Sequence, residues 1–200
     1  MMDYLPWIDD INDDGYAWII DEPPEIDEPS YLIHEEASIS HWWPEEVVFD
    51  LSPDYGVRLA DYVPTVTGLH IISKKLKEIL DSECQGAFDF YPVTIRNQKG
   101  RIVKASYYLA HLRIILDCMD REKSDFTINP INTEHATRIR RLVLREDKIP
   151  DNIKIFALKE DPSLWLVQRE LAKNIYREFD CRGMLFIKLE NYGIEWRTDG

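Results

Sequence analysis

The sequence has no apolar run of the roughly 18–20 residues that a membrane-spanning helix needs. Its start, MMDYLPWIDD, lacks the basic and apolar stretches of a secretory signal. Both absences predict a cytoplasmic protein that does not associate with membranes. Only three cysteines occur, Cys84, Cys118 and Cys181, and their wide spacing forms neither a disulfide framework nor a CxxC metal pair. We therefore expect buried, reduced thiols.

Glycine is also sparse, and the eight glycines are scattered along the chain. No GxxxxGK[ST] or GxGxxG loop is present to hold phosphate, and the HExxH and GxSxG motifs of hydrolases are absent. The five histidines show no metal-ligand spacing, and His70 lies within a strand pattern typical of a structural histidine. These observations predict a protein that is not an enzyme and that binds no cofactor or metal.

Basic residues are almost missing from the first 60 positions. Arg58 stands there against sixteen of the 37 acidic residues, whereas residues 61–200 contain 21 acids and 23 bases. The net charge of -13 thus lies in the first part of the chain. Such a field repels nucleic acid and anionic membranes and accelerates encounter with a basic protein. A basic protein partner is predicted, with neither nucleic acid nor membrane bound; the alternative is that the acids serve only solubility.

Proline content and apolar patterning also divide the chain near residue 60. Residues 1–60 contain six of the eleven prolines, which disfavours long helices, and they form short strand patterns at Tyr16–Ile20 and Glu46–Leu51. The Trp42-Trp43 pair would be costly to leave in water. We expect an acidic, Pro- and Trp-rich N-terminal segment (1–60) that packs on an α+β body (61–200) with its carboxylates facing out.

The body shows regular amphipathic patterns. Ser73 can cap a helix whose apolar stripe is Leu76, Ile79 and Leu80, and strands are indicated before and after it. About 95 residues later a similar strand–helix–strand pattern recurs, with Leu171, Ile175 and Phe179 on one helix face. Further strands are indicated at Arg101–Lys104, Ser106–Leu112, Ile139–Leu144 and Lys154–Leu158. The predicted fold class is α+β: a mostly antiparallel sheet with two principal helices from two similar strand–helix–strand units, although chance similarity of amphipathic segments is a rival explanation.

One short motif has a chemical interpretation. Asp10-Ile11-Asn12-Asp13-Asp14-Gly15 matches the start of an EF-hand calcium loop, and Asp21 falls at its twelfth position. However, Pro6 precedes the motif and Pro23-Pro24 follow it, which denies it the flanking helices. An Asp-Gly turn between short acidic strands explains the same residues. A millimolar calcium titration by calorimetry separates the two interpretations.

Several short stretches of the body together carry a family resemblance: Gly68–Leu80, Phe90–Val93, Tyr107–Leu109, Leu116–Ser124, Ile139–Leu144 and Leu164–Val167 with the helix after it. Through them, roughly residues 45–195 resemble an immunity-protein family of bacterial polymorphic toxin systems, the eleventh numbered immunity family, a myxobacterial-type domain. This resemblance implies a small cytosolic protein that neutralises a cognate toxin, often a nuclease, delivered by type VI secretion or another contact-dependent system. It supplies no catalytic residues.

The resemblance and the charge together predict an immunity protein that occludes the active site or substrate groove of a basic toxin. The alternative is an acidic adaptor or calcium-modulated interaction module without a toxin partner. The candidate partner-binding residues are the acids and aromatic anchors of the N-terminal segment: Asp9, Asp10, Asp13, Asp14, Trp18, Asp21, Glu22, Glu25, Asp27, Glu28, Trp42 and Trp43. For the tryptophans, an ordinary core role is the competing interpretation.

Overall fold

A computed structural model describes residues 3–26 and 30–193 of the chain. Strands dominate it, and the α+β class predicted from the sequence is confirmed. In chain order the strands are β1 (Tyr4–Asp9), β2 (Val48–Asp50), β3 (Tyr62–Val63), β4 (Ile71–Ser73), β5 (Phe88–Arg96), β6 (Tyr107–Leu112), β7 (Ile115–Leu116), β8 (Asp125–Ile128), β9 (Ala136–Arg141), β10 (Ile155–Leu158), β11 (Asp161–Gln168) and β12 (Met184–Phe186).

Two α-helices accompany these strands within the described ranges. Helix α1 (Lys74–Glu83) begins where the sequence predicts, because the Ser73 side chain accepts the Leu76 N–H at 3.2 Å. Its predicted stripe of Leu76, Ile79 and Leu80 is buried. Short 3₁₀ helices occupy Ser30–His34, Glu146–Lys148 and Leu189–Asn191. No helix in the described part of the chain has the length and apolarity to cross a membrane.

Helix α2 (Arg169–Lys173) continues into a π-helical turn at Asn174–Glu178. Leu171 and Ile175 are buried as predicted, but Phe179 is 40% exposed, so its predicted place on the same face is wrong. The N–H of Phe179 donates to the Asn174 carbonyl at 2.9 Å, five residues back. This wider turn rotates the following side chain away from the core.

The first sheet has the order β12-β1-β11-β10-β7. Strand β1 lies between β12 and β11 and is antiparallel to both, with Trp7 opposite Phe186 on one side and Trp165 on the other. Strands β11 and β12 are therefore parallel to each other, and α2 connects them. At the far edge, β10 and β7 pair in parallel.

The second sheet has the order β2-β5-β6-β4-β3, and β8 and β9 form a separate hairpin. Strands β4 and β5 both pair antiparallel with β6, and α1 connects them. Strand β2 pairs in parallel with β5, so this sheet, like the first, is mixed.

Two predicted strands do not form. In Tyr16–Ile20 the Ala17 N–H donates to the Arg58 carbonyl and the Ile19 N–H donates to the Pro64 carbonyl. Because these acceptors lie six residues apart, the segment crosses from one partner to another and makes isolated bridges instead of a ladder. At Arg101–Lys104 a single bridge joins Ile102 to Arg96.

Residues 1–60 contribute side chains to all three hydrophobic cores. Trp7 packs with α1 and α2 in the first core, and Phe49 is fully buried in the second, against the second sheet. Tyr4 enters the third core beside Phe156, with ring centroids 5.1 Å apart. The three cysteines are buried and unbonded, as predicted.

His70 joins the two sheets. Its ring stacks on Trp165 of β11 with centroids 3.6 Å apart. Because the Ser163 carbonyl can only accept, Nε2 donates to it at 3.0 Å, and Nδ1 accepts from the Tyr62 hydroxyl at 3.0 Å. Burial lowers the pKa of His70 to about 3, so the ring is neutral. The structural role predicted for this histidine is confirmed.

Gly183 lies where three distant segments meet. Its carbonyl accepts the Asp10 N–H at 3.1 Å, and the preceding Arg182 carbonyl accepts the Tyr62 N–H at 3.0 Å. The backbone has a φ of +98°, and a Cβ here would lie 1.9 Å from the Tyr62 carbonyl oxygen. A residue without a side chain is therefore required.

We expect Gly183→Ala to lower the free energy of unfolding by about 3–5 kcal/mol, because it combines backbone strain with a collision. Gly86→Ala is the matched control, since Gly86 also has positive φ (+75°) but nothing within 4 Å of the added Cβ. That variant should lose only about 1–2 kcal/mol, the conformational cost. Urea unfolding curves measure both, and equal losses would contradict the role assigned to this junction.

Asp9, at the end of β1, is half-buried, and its Oδ1 accepts the Thr65 N–H at 3.3 Å. Burial raises its pKa from 3.8 to about 7. The folded protein therefore holds this proton more tightly than the unfolded chain does, and the stability it contributes is complete below pH 3.8 and lost as pH rises through 7.

We expect Asp9→Asn, which keeps the acceptor for Thr65, to unfold with a free energy about 1–3 kcal/mol above that of the unmodified protein at pH 8. At pH 4 the difference should vanish. Urea titrations at several pH values measure it, with the exposed Asp14→Asn as the control. A difference that does not depend on pH would show that Asp9 acts through packing and not through its proton.

Candidate functional site

The loop Asp10–Asp21, here called the acidic turn, leaves the end of β1. The Asp10 carboxylate accepts the Asn12 N–H at 3.1 Å, and the Asp13 carboxylate accepts the Gly15 N–H at 3.0 Å. These contacts are Asx turns, in which the side chain satisfies its own backbone. In the described ranges no group of three or more His, Cys, Asp or Glu side chains is placed to hold a metal ion.

Two of the acids predicted to bind the partner, Asp9 and Asp13, interact with other residues of the same molecule. Asp13 forms an ion pair with Arg58, whose guanidinium also lies 4.4 Å from the centre of the Tyr16 ring. Asp9 is half-buried with a pKa of about 7, so at neutral pH it carries only part of a negative charge. Both residues support the base of the turn.

The remaining predicted acids are more available. Asp14, Asp21 and Glu25 are exposed, whereas Asp10 and Glu22 are half-buried. None of these five forms an ion pair with a described residue. Asp27 and Glu28 lie outside the described residues. Among the predicted acids that the structure describes, those without an ion pair therefore lie at residues 10–25.

The three candidate tryptophans are half-buried. Trp18 stacks on Tyr55, with centroids 5.1 Å apart, and Trp43 packs against Tyr91 at 5.1 Å. Trp42 and Trp43 border the second core, and their buried indole N–H groups have no acceptor among the described residues. The Trp43–Tyr91 contact connects the N-terminal segment to β5 of the second sheet.

No pattern in the sequence predicts a wide concavity on the surface, here called the acidic groove. It has a volume of about 880 Å³ and is lined by His34, Glu35, Glu36, Ala37, Arg113, Ile115, Asp117, His135, Lys159 and Pro162. A second cavity of about 420 Å³ adjoins it, since His34, His135 and Pro162 line both. These residues come from four separate stretches of the chain, so no local motif indicates the groove.

Negative charge predominates in the acidic groove. Its two basic side chains already have partners, since Arg113 lies 3.7 Å from Asp89 and Lys159 lies 3.4 Å from Glu134. Glu35 and Glu36 are exposed and form no ion pair with a described residue. Burial lowers the pKa of His34, so this imidazole adds no positive charge at neutral pH.

A third cavity, of about 380 Å³, has the opposite character. Leu5, Ala172 and Phe186 form part of its apolar lining beside α2, and Arg169, Lys173 and Arg177 also line it. Its basic side chains do not suit a basic partner, so it is a weaker candidate for the predicted interaction.

Comparison with curated proteins gives no match. A family model, described as the immunity protein family Imm11, matches residues 8–191. That range includes the last two residues of β1, all the other strands, both α-helices, the acidic turn and the acidic groove. The chain therefore belongs to the Imm11 immunity protein family.

Proposed function

We propose that this protein binds a cognate antibacterial toxin and neutralises it by occluding the toxin's active site or substrate groove. The observation that carries the proposal is the family match over residues 8–191, because an immunity protein implies a toxin that it counteracts. Occlusion requires only a complementary surface, and this agrees with a sequence that lacks the GxxxxGK[ST], GxGxxG, HExxH and GxSxG motifs.

We further propose that the toxin is a nuclease delivered by type VI secretion or another contact-dependent system, and that the immunity protein meets it in the cytoplasm. A nuclease needs basic residues where it holds the nucleic acid backbone. The net charge of -13 suits such a surface, and charge complementarity increases the rate of association.

The acidic turn is the proposed steering element. Asp14 and Asp21 are exposed at this turn and have no described ion-pair partner, so their field extends into solvent. Screening by salt limits such steering to roughly 8–10 Å at physiological ionic strength. Trp18, Trp42 and Trp43 are proposed as apolar contacts, each through the part of its ring left accessible.

We also infer that the stretches β4–α1–β5 and β11–α2–β12 are related units of a mostly antiparallel architecture. In each, the helix connects two parallel strands that flank one antiparallel strand, β6 in the first and β1 in the second. The shared pairing order supports a common origin better than helix amphipathicity alone does.

Neutralisation by occlusion should be stoichiometric. Addition of the immunity protein to the toxin encoded by the adjacent gene should reduce toxin activity linearly. That activity should reach zero at one equivalent of immunity protein. The measurement is residual toxin activity after incubations of different length. Inactivation that continues with time below one equivalent would indicate an enzyme that modifies the toxin.

Reversal of charge at the acidic turn should slow association. We expect Asp14→Lys/Asp21→Lys to reduce the association rate constant by about tenfold at low salt, because steering acts before contact. The dissociation rate constant should change less than about twofold. Stopped-flow or surface-binding kinetics over a range of salt concentrations measure both.

The matched control is Glu45→Lys/Glu46→Lys, an exposed pair outside the acidic turn that changes the net charge by the same amount. Its effect on association should be clearly smaller. Equal slowing by the two variants would indicate that only net charge matters, and unchanged association for the turn variant would move the steering surface elsewhere.

A further inference from the structure

Glu160 is an unusual residue in this fold. It lies in the turn between β10 and β11, is 1% exposed, and its Oε2 has no hydrogen-bond partner among the described residues. A buried carboxylate oxygen without a hydrogen bond costs free energy, so this atom does not contribute to stability. Glu160 also lines the cavity of about 420 Å³ that adjoins the acidic groove.

The surroundings of Glu160 do not neutralise it. Arg121 and Lys159 exert a favourable field and Asp117 an unfavourable one, but neither base forms an ion pair with Glu160. Lys159 pairs with Glu134, and Arg121 donates to the Thr133 carbonyl at 3.3 Å. Burial is the main reason that the pKa of Glu160 is raised. The ligand whose charge complements this carboxylate is a cation.

The acidic groove, which adjoins the cavity lined by Glu160, contains further carboxylates. Glu35 and Glu36 are exposed on its wall, and their side chains form no described ion pair. Their backbone carbonyls accept hydrogen bonds instead, from His111 Nε2 at 2.8 Å and Arg113 Nε at 3.1 Å. These bonds hold the wall in place while both carboxylates remain free to bind.

Apolar surface borders the same cavity. Tyr31 is 66% exposed and Val66 is 60% exposed, both on the lining shared with Glu160. An aromatic ring beside carboxylates suits an arginine, whose planar guanidinium stacks on rings and donates to carboxylates. A lysine would use the charge but not the ring.

We propose that the acidic groove with its adjoining cavity is the anchoring surface for the toxin, and that it receives a toxin loop bearing an arginine between Glu35, Glu36 and Glu160. This inference rests on the proposed function and adds the surface that holds the partner after encounter. The acidic turn governs how fast the two proteins meet, whereas the groove governs how slowly they separate.

The test compares three double charge reversals, each of which makes the net charge more positive by the same amount. They are Glu35→Lys/Glu36→Lys in the groove, Asp14→Lys/Asp21→Lys at the turn, and the control pair Glu45→Lys/Glu46→Lys. We expect the groove variant to raise the dissociation rate constant of the toxin complex at least tenfold. The turn and control variants should dissociate at the rate of the unmodified protein.

A second variant, Glu160→Gln, keeps the size of the side chain and removes its charge. It should weaken toxin binding about tenfold or more, while urea unfolding verifies that the free protein remains folded. If Glu160→Gln does not fold, the groove pair decides alone, since Glu35 and Glu36 are exposed and their side chains form no described contacts.

The two proposals fail in different ways. If the unmodified protein does not bind the product of the adjacent gene, the proposed function fails and this inference fails with it. If the unmodified protein binds and neutralises that toxin while the groove variants dissociate at the unmodified rate, the function stands and the anchoring surface is overturned.

Discussion

The fold depends on the insertion of β1 between β11 and β12. Residues of β1 pair on both sides, as Trp7 does with Trp165 and with Phe186. The first sheet is therefore continuous only when this strand is present. Without it, the backbone groups of β11 and β12 that face β1 would lose these partners, which costs free energy wherever such groups are buried. The same strand ends at Asp9, so the sheet fixes the position from which the acidic turn projects.

Local patterns predicted local structure well. The Ser73 cap and the stripe of Leu76 and Leu80 determine α1 within one stretch of chain, and the α+β class followed from such segments. Tyr16–Ile20 was predicted as a strand from composition, yet its backbone bonds to two unrelated segments. Phe179 left its predicted face because a π-helical turn changes the periodicity, which an apolar stripe does not reveal.

The candidate sites likewise combine features that are visible in the sequence with features that only the fold creates. The charge asymmetry was visible in the sequence, whereas the acidic groove combines residues 34–37, 113–117, 135 and 159–162, which only tertiary structure brings together. Composition could not indicate that Asp13 is paired with Arg58 or that Glu160 is buried without a partner. The division into an N-terminal segment (1–60) and a body (61–200) stays a prediction, although Trp7 and Phe49 lie in cores shared with that body.

The pairing of β1 also determines how late in synthesis the first sheet can be completed. Tyr4 is opposite Gln168 and Asp9 is opposite Met184, so β1 is synthesised long before its two partner strands. At about 5–20 residues per second, that interval is roughly ten to thirty seconds. During this interval the nascent chain exposes β1 as an unpaired apolar strand, and the first sheet cannot be completed. A copy whose synthesis begins after a toxin arrives can therefore complete its first sheet only after that interval.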